Sequence, residues 1–90
     1  MPRKHVLVTG LVQGVGFRYF ALDEAQQTGV TGWVRNRSDG RVEIEAQGDS
    51  SVLNDFLDRI HMGPRHAYVE KVETEEIPEV PLEPEFRMRW

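Results

Sequence analysis

Apolar positions change their spacing repeatedly along the chain, and each change marks an element. Val6 to Val12 is an apolar run with both parities occupied, the pattern of a strand buried on both faces or set centrally in a sheet. From Phe17 to Thr28 the spacing becomes helical. Phe17, Phe20, Ala21, Ala25 and Thr28 share one face, and Asp23, Glu24, Gln26 and Gln27 fall outside it. Tyr19 and Phe20 read as core and rim aromatics, because helical spacing accounts for them without a substrate-stacking role. Gly29 supplies the stop. A second strand follows over Thr31 to Asn36, and Arg37-Ser38-Asp39-Gly40 predicts a hairpin turn through its Asp-Gly pair. The third strand alternates strictly: Val42, Ile44 and Ala46 against Glu43, Glu45 and Gln47, one face buried and the other wet.

After Gly48, Asp49 or Ser50 can cap a second helix. Its stripe is Val52, Leu53, Phe56, Leu57 and Ile60, and Gly63-Pro64 ends it. A fourth strand is predicted from near Ala67 to about Glu76, with Val69 and Val72 on opposite parities, which leaves room for a bulge. Pro78, Pro81 and Pro84 impose an extended surface connection, and Phe86 to Trp90 returns as a short edge strand. The order β-α-β-β-α-β, with right-handed crossovers, predicts an α+β, ferredoxin-like sandwich: one antiparallel sheet with two helices on one face. The first two strands then run in the same direction, so their C-terminal ends share one edge of the sheet. The third strand lies between them and sets those ends roughly 10 Å apart.

Composition narrows the class without naming a chemistry. Ninety residues with 39% apolar and 29% charged side chains predict one ordinary globular domain, residues 1–90. No run has the length of a membrane span and the N-terminus carries no signal-type apolar region, so no membrane is expected and the default location is cytoplasmic. The absence of cysteine excludes disulfides, thiolate nucleophiles and sulfur-bound zinc. A net charge of −4 argues against a nucleic-acid partner. His5, His61 and His66 show no metal-ligand spacing, so no metal is expected. Arg35, Arg37 and Arg41 read as solvated surface charge rather than as steering groups for an anion, and the acidic stretch Glu70 to Glu85 as solubilising. Glu43 and Glu45 lie on the wet face, which speaks against a paired-carboxylate role. A monomer is the default for a chain without a long exposed apolar strand.

The candidate chemistry lies where the first strand meets the first helix. Gly10-Leu11-Val12-Gln13-Gly14-Val15-Gly16-Phe17-Arg18 places three glycines within seven residues, so the backbone can reach positive φ and turn N–H groups toward one spot. The free N–H groups and positive end of the following helix add to them, a setting for an anion of phosphate size, and Arg18 brings a planar fork of donors. No Gly-Lys-Ser/Thr follows, so this is not a Walker loop. Tyr19 stands where the dinucleotide fingerprint needs Gly or Ala. On local grounds, anion binding and a plain tight turn weigh equally. Asn36 is likewise ordinary before a hairpin, where its side chain can bond its own backbone. Only the shared sheet edge brings it toward Arg18, facing one small cleft.

Taken together, Gly10 to Arg18, Gly32-Trp33-Val34-Arg35-Asn36 and Asp39-Gly40 resemble the two motifs of the acylphosphatase family, and Gly48-Asp49 and Gly63-Pro64 extend the likeness over nearly the whole chain. The resemblance implies hydrolysis of acyl phosphates to a carboxylate and inorganic phosphate, with no metal and no cofactor. It implies phosphate binding by the backbone of Gln13, Gly14, Val15, Gly16, Phe17 and Arg18 and by the Arg18 side chain, and placement of the attacking water by Asn36. The expected partners are a small acyl phosphate and, in the loop, inorganic phosphate or a similar anion. Elementary chemistry agrees, since a carboxylate of pKa about 4 leaves without a general acid. Two rival expectations stand beside this one. The domain also resembles the N-terminal module of larger carbamoyl-transferring maturation proteins, a reading that a chain ending at Trp90 disfavours. A non-enzymatic binding module would present aromatics on the open sheet face, for which Trp33 and Arg35 are the sole hint.

Overall fold

The computed structural model describes residues 1–90. It runs β1 (Arg3–Leu11), α1 (Phe17–Thr28), β2 (Thr31–Asn36), β3 (Val42–Gln47), α2 (Ser50–Met62), β4 (Tyr68–Ile77) and β5 (Phe86–Met88). The five strands form one sheet in the order β4-β1-β3-β2-β5. β1 is antiparallel to β3 and β4, and β2 is antiparallel to β3. β5 adds to the edge of β2 in parallel, with Gly32, Trp33 and Val34 opposite Phe86, Arg87 and Met88. The predicted ferredoxin-like arrangement is therefore the observed one, including β3 between β1 and β2; the sheet departs from the expected all-antiparallel pairing at β5 alone, which ends at Met88 rather than Trp90 and runs parallel to β2.

The core lies between the sheet and the helices. Val6, Val8, Val34, Val42, Ile44 and Ala46 of the sheet pack with Phe17, Ala21 and Ala25 of α1 and Leu53, Phe56 and Ile60 of α2 in one buried cluster. Phe86 closes it beside β2, its ring 5.7 Å from that of Phe56. This cluster drives the fold, because each side chain removes apolar area from water and the interior leaves no room for rearrangement.

The structure corrects several sequence expectations. β1 begins at Arg3 rather than Val6 and stops at Leu11, with Val12 buried just beyond it. The apolar pattern missed the start because Arg3 and His5 are polar residues serving the other face. The face of β3 expected to be wet is largely covered: Glu43 is 8% exposed and Gln47 is buried as well. Arginines from neighbouring strands lie across them. Arg3, 2% exposed, donates from Nε to Glu45 (2.9 Å), from Nη1 to Gln47 (3.2 Å) and Glu83 Oε1 (2.8 Å), and from Nη2 to Glu83 Oε2 (3.2 Å). Glu43 accepts from Arg35 Nε at 2.6 Å and lies 2.6 Å from His5 Nε2. Long side chains can cover a sheet with their stems while their charged heads pair, which binary patterning does not register. Glu83 is thus structural, not merely solubilising.

The bulge anticipated between Val69 and Val72 is present. Thr9 faces Lys71 while Gly10 faces Val69, so Glu70 is the extra residue. β4 itself runs from Tyr68 to Ile77, one residue later at each end than predicted. Asp49 occupies the N-cap of α2 but its side chain makes no capping bond.

Candidate active site

The turn between β1 and α1 is anchored at both sides and open in the middle. Val12 and Phe17 are buried, and the Phe17 ring meets that of Phe20 edge-on at 5.8 Å. Between them Gly14 and Gly16 adopt φ of 73° and 77°, values that a Cβ would strain. A Cβ at either would meet nothing within 4 Å, so the outer side of the loop is clear. The backbone N–H groups from Gln13 to Tyr19 donate to no protein carbonyl, and α1 makes its first bond from Phe20 N–H to Gly16 O at 3.0 Å. Unsatisfied donors at the positive end of a helix attract an anion.

Arg18 follows directly. The arginines across the open sheet face are consumed by carboxylates: Arg3 by Glu45 and Glu83, Arg35 by Glu43, Arg37 and Arg41 by Asp39. Arg18 has no such partner. Its Nη1 donates to Arg89 O at 3.4 Å, and its guanidinium carbon lies 4.1 Å from the centre of the Trp90 ring.

Asn36 ends β2, opposite Val42 of β3, and its side chain makes no hydrogen bond inside the protein. The local role open to it is filled by others. Asp39 Oδ1 accepts from Arg41 N–H at 3.1 Å, and Gln13 Nε2 donates to the carbonyls of Arg37 (2.8 Å) and Arg41 (2.9 Å). The hairpin is thereby held without Asn36, whose amide is left for the cleft.

Val12, Gly14, Gly16, Phe17, Arg18, Tyr19 and Asn36 line one cleft of about 130 Å³. A water occupies about 30 Å³ of the liquid, so a tetrahedral anion and a water have room together. Of the residues predicted for phosphate, Gly14, Gly16, Phe17 and Arg18 line this space. The Val15 side chain instead leans on the core, and the Gln13 side chain pins the hairpin. Sequence reasoning missed Tyr19 as a cleft residue. It is 64% exposed, outside the apolar stripe, and that position off the stripe beside Arg18 was the available signal. It also missed Arg89 and Trp90, which no periodicity connects to Arg18.

Charges around the cleft are balanced locally. Hydrogen bonds from Arg41, side chain and backbone, hold the Asp39 carboxyl far below the usual carboxylate range. Burial pushes Glu43 up, but hydrogen bonds from His5 and Arg35 outweigh it and leave the group below its ordinary value. Arg35, Arg37 and Arg41 therefore do not form a free cationic funnel. Trp33, the hint of a binding face, is 9% exposed beneath Arg35 and Arg89, whose guanidinium carbons lie 5.8 and 4.6 Å from its ring centre. No group of three or more His, Asp or Glu side chains is placed to hold a metal ion.

Fold and site together define a small split β-α-β protein with a donor-rich cleft at the edge where β1 and β2 end. The family model described as Acylphosphatase matches residues 4–88, and the chain belongs to the acylphosphatase family. It is 48% identical over 90 residues to the acylphosphatase of Geobacillus thermodenitrificans, covering 100% of this chain and 96% of that protein. Its structure is similar to the crystal structure of acylphosphatase from Bacillus subtilis with a TM-score of 0.95 at 37% identity, covering 100% of both chains. Full-length HypF, solved in a phosphate- and nucleotide-bound form, is similar with a TM-score of 0.89 at 29% identity. That match covers 99% of this chain and 12% of the other.

Proposed function

We propose that residues 1–90 act as one acylphosphatase domain that hydrolyses the carboxyl–phosphate bond of acyl phosphates, with Arg18 and the Gln13–Arg18 backbone holding the phosphoryl group and Asn36 orienting the water. The observation that carries this reading is the meeting of three unspent groups in one cleft: free loop N–H groups, a guanidinium without a carboxylate, and an amide without a protein partner. Family membership supplies the substrate class.

The chemistry asks for little more. The water oxygen attacks phosphorus as the bond from phosphorus to the carboxylate oxygen breaks, and the electron pair leaves with the carboxylate. Both protons of the water end on the phosphate. The protein must align the reactants and stabilise the equatorial oxygens, as donors fixed before the reaction do well. Asn36 is a poor base but a good orienting group, with an acceptor for water and a donor beside it.

Hydrolysis of benzoyl phosphate by the folded chain, with phosphate as inhibitor, separates the roles. Arg18→Ala should abolish phosphate inhibition and reduce kcat/KM by about 100-fold or more, as loss of a charge-stabilising donor does, with the thermal midpoint retained. Asn36→Ala should leave the phosphate inhibition constant near wild type and lower kcat by about 100-fold, because water placement acts in the transition state. Equal losses of both constants in Asn36→Ala would make Asn36 a support of the loop. Turnover that survives Arg18→Ala would overturn the assignment.

A further inference from the structure

We propose that Tyr19 is a specificity-determining residue whose ring supports the acyl group of the substrate, so that the cleft favours acyl phosphates with a bulky apolar or aromatic acyl group over those with a small one such as acetyl. The proposal rests on the reading of the cleft as the site that holds the phosphoryl group. It concerns the half of the substrate to which that reading assigns no residue.

The cleft has a volume of about 130 Å³, which the phosphoryl group and the attacking water take up between them. The acyl group therefore stands outside, at the mouth. The bond that breaks lies roughly in line with the incoming water, so the acyl oxygen departs on the side of phosphorus away from the Asn36 amide. A side chain that meets the acyl group must be apolar, exposed to solvent and free of other duties.

Among the residues that line the cleft, elimination leaves one such side chain. Gly14 and Gly16 have none to offer. Val12 and Phe17 are 1% and 2% exposed and belong to the core cluster, so they form the floor. Arg18 holds the phosphoryl group and Asn36 the water. Tyr19 remains: it is 64% exposed, and it stays apart from the core cluster that Phe17 joins and Phe20 packs against. Its ring pairs with no other aromatic ring, whereas Phe17 and Phe20 meet edge-on. A solvated ring contributes little to the fold, because its apolar area has not left water.

The position suits an acyl support. Tyr19 follows Arg18 directly in the first turn of α1, whose backbone is fixed from the bond of Phe20 N–H to Gly16 O onward. A tyrosine has only two side-chain torsions, so it offers a large contact area for little lost freedom. An aromatic acyl group gains ring-to-ring contact as well as the area it removes from water, and an acetyl group is too small for either.

The test compares benzoyl phosphate with acetyl phosphate, and inhibition by inorganic phosphate, in wild type, Tyr19→Ala, Tyr19→Phe and Arg18→Ala. In Tyr19→Ala the ratio of kcat/KM for benzoyl over acetyl phosphate should fall by about two- to ten-fold, the span of aromatic pair strengths. The fall should come through a raised KM for benzoyl phosphate, because the acyl contact is alike in ground and transition states. The phosphate inhibition constant and the thermal midpoint should stay near wild type, and Tyr19→Phe should keep the wild-type ratio. An equal loss on both substrates, or a loss shared by Tyr19→Phe, would overturn the proposal. Arg18→Ala keeps the two readings apart. Turnover that survives it overturns the phosphate site and the Tyr19 assignment with it, whereas a wild-type ratio in Tyr19→Ala beside an inactive Arg18→Ala overturns the Tyr19 assignment alone.

Discussion

Gln13 illustrates how one residue of the loop serves two neighbours. Its backbone belongs to the donor-rich turn, while its side-chain amide reaches across to the carbonyls of Arg37 and Arg41 at the ends of the β2–β3 hairpin. Gln13→Ala would remove that donor, but Arg41 O still accepts from Arg37 N–H at 2.9 Å and Arg37 O from Gly40 N–H at 3.3 Å, so the loss is that of ordinary hydrogen bonds, about 0.5–1.5 kcal/mol. The hairpin would then loosen next to Asn36. The expected result is a lower midpoint in urea together with a larger fall in kcat than rise in the phosphate inhibition constant, because Asn36 adjoins Arg37 while the loop backbone is retained. A phosphate inhibition constant that rises as much as kcat falls would show that the Gln13 side chain acts on the cradle directly. Asn36 has the opposite character: its side chain is uncommitted, and the residues around it do the work a turn asparagine ordinarily does.

At the level of elements, β1 and β4 set the base from which the turn departs. Their pairing shifts at Thr9 and Gly10, and Gly10 adopts φ of 136° at the shift. A Cβ there would stand 2.1 Å from the carbonyl oxygen of Tyr68, with backbone on both sides and no flexible atom to yield. Gly10→Ala should therefore cost about 3 kcal/mol by urea denaturation, combining forced strand separation with backbone strain. Gly16→Ala has open space and strain alone, so a loss of about 1–2 kcal/mol is expected. Nearly equal losses at the two positions would mean that the strands part easily. The pairing shift was foreshadowed in the sequence by the opposite parities of Val69 and Val72, yet the same pattern gave no indication that Gly10 was the residue facing it. Cross-strand proximity is not a local property.

For the molecule as a whole, the open face of the sheet is a ladder of charges linking distant segments: Arg3 at the start of β1, Glu45 and Gln47 in β3, and Glu83 beyond β4. Burial pushes the Glu83 carboxyl up, but hydrogen bonds from Arg3 and Thr31 together with the Arg3 charge outweigh it, so like Glu43 it lies below its ordinary value in the folded state. The unfolded carboxyls titrate near pH 4.3, so between the folded and unfolded values the unfolded chain binds more protons. Stability from these groups is complete above that pH and is lost as the pH falls through the folded values. Urea unfolding from pH 6 to pH 3 should show a declining midpoint, and Glu43→Gln should flatten that decline. An equal slope in both proteins would remove Glu43 from the acid response.

The order of elements, the split β-α-β topology and the central candidate residues were legible in the sequence because each has a local signature. Apolar spacing distinguishes strand from helix, Gly-rich and Asp-Gly turns mark the connections, and the handedness of crossovers leaves few ways to join them. Arg18 and Asn36 were within reach because the ends of β1 and β2 must share an edge. Which donors were free, and which were already taken, depended on contacts far apart in sequence. Arg3 meets Glu83 across the whole chain, Gln13 meets the hairpin, and Trp90 meets Arg18. Side-chain reach and packing, rather than periodicity, decide such pairs. They turned a face expected to be wet into a covered one and gave the cleft an arginine free of any carboxylate.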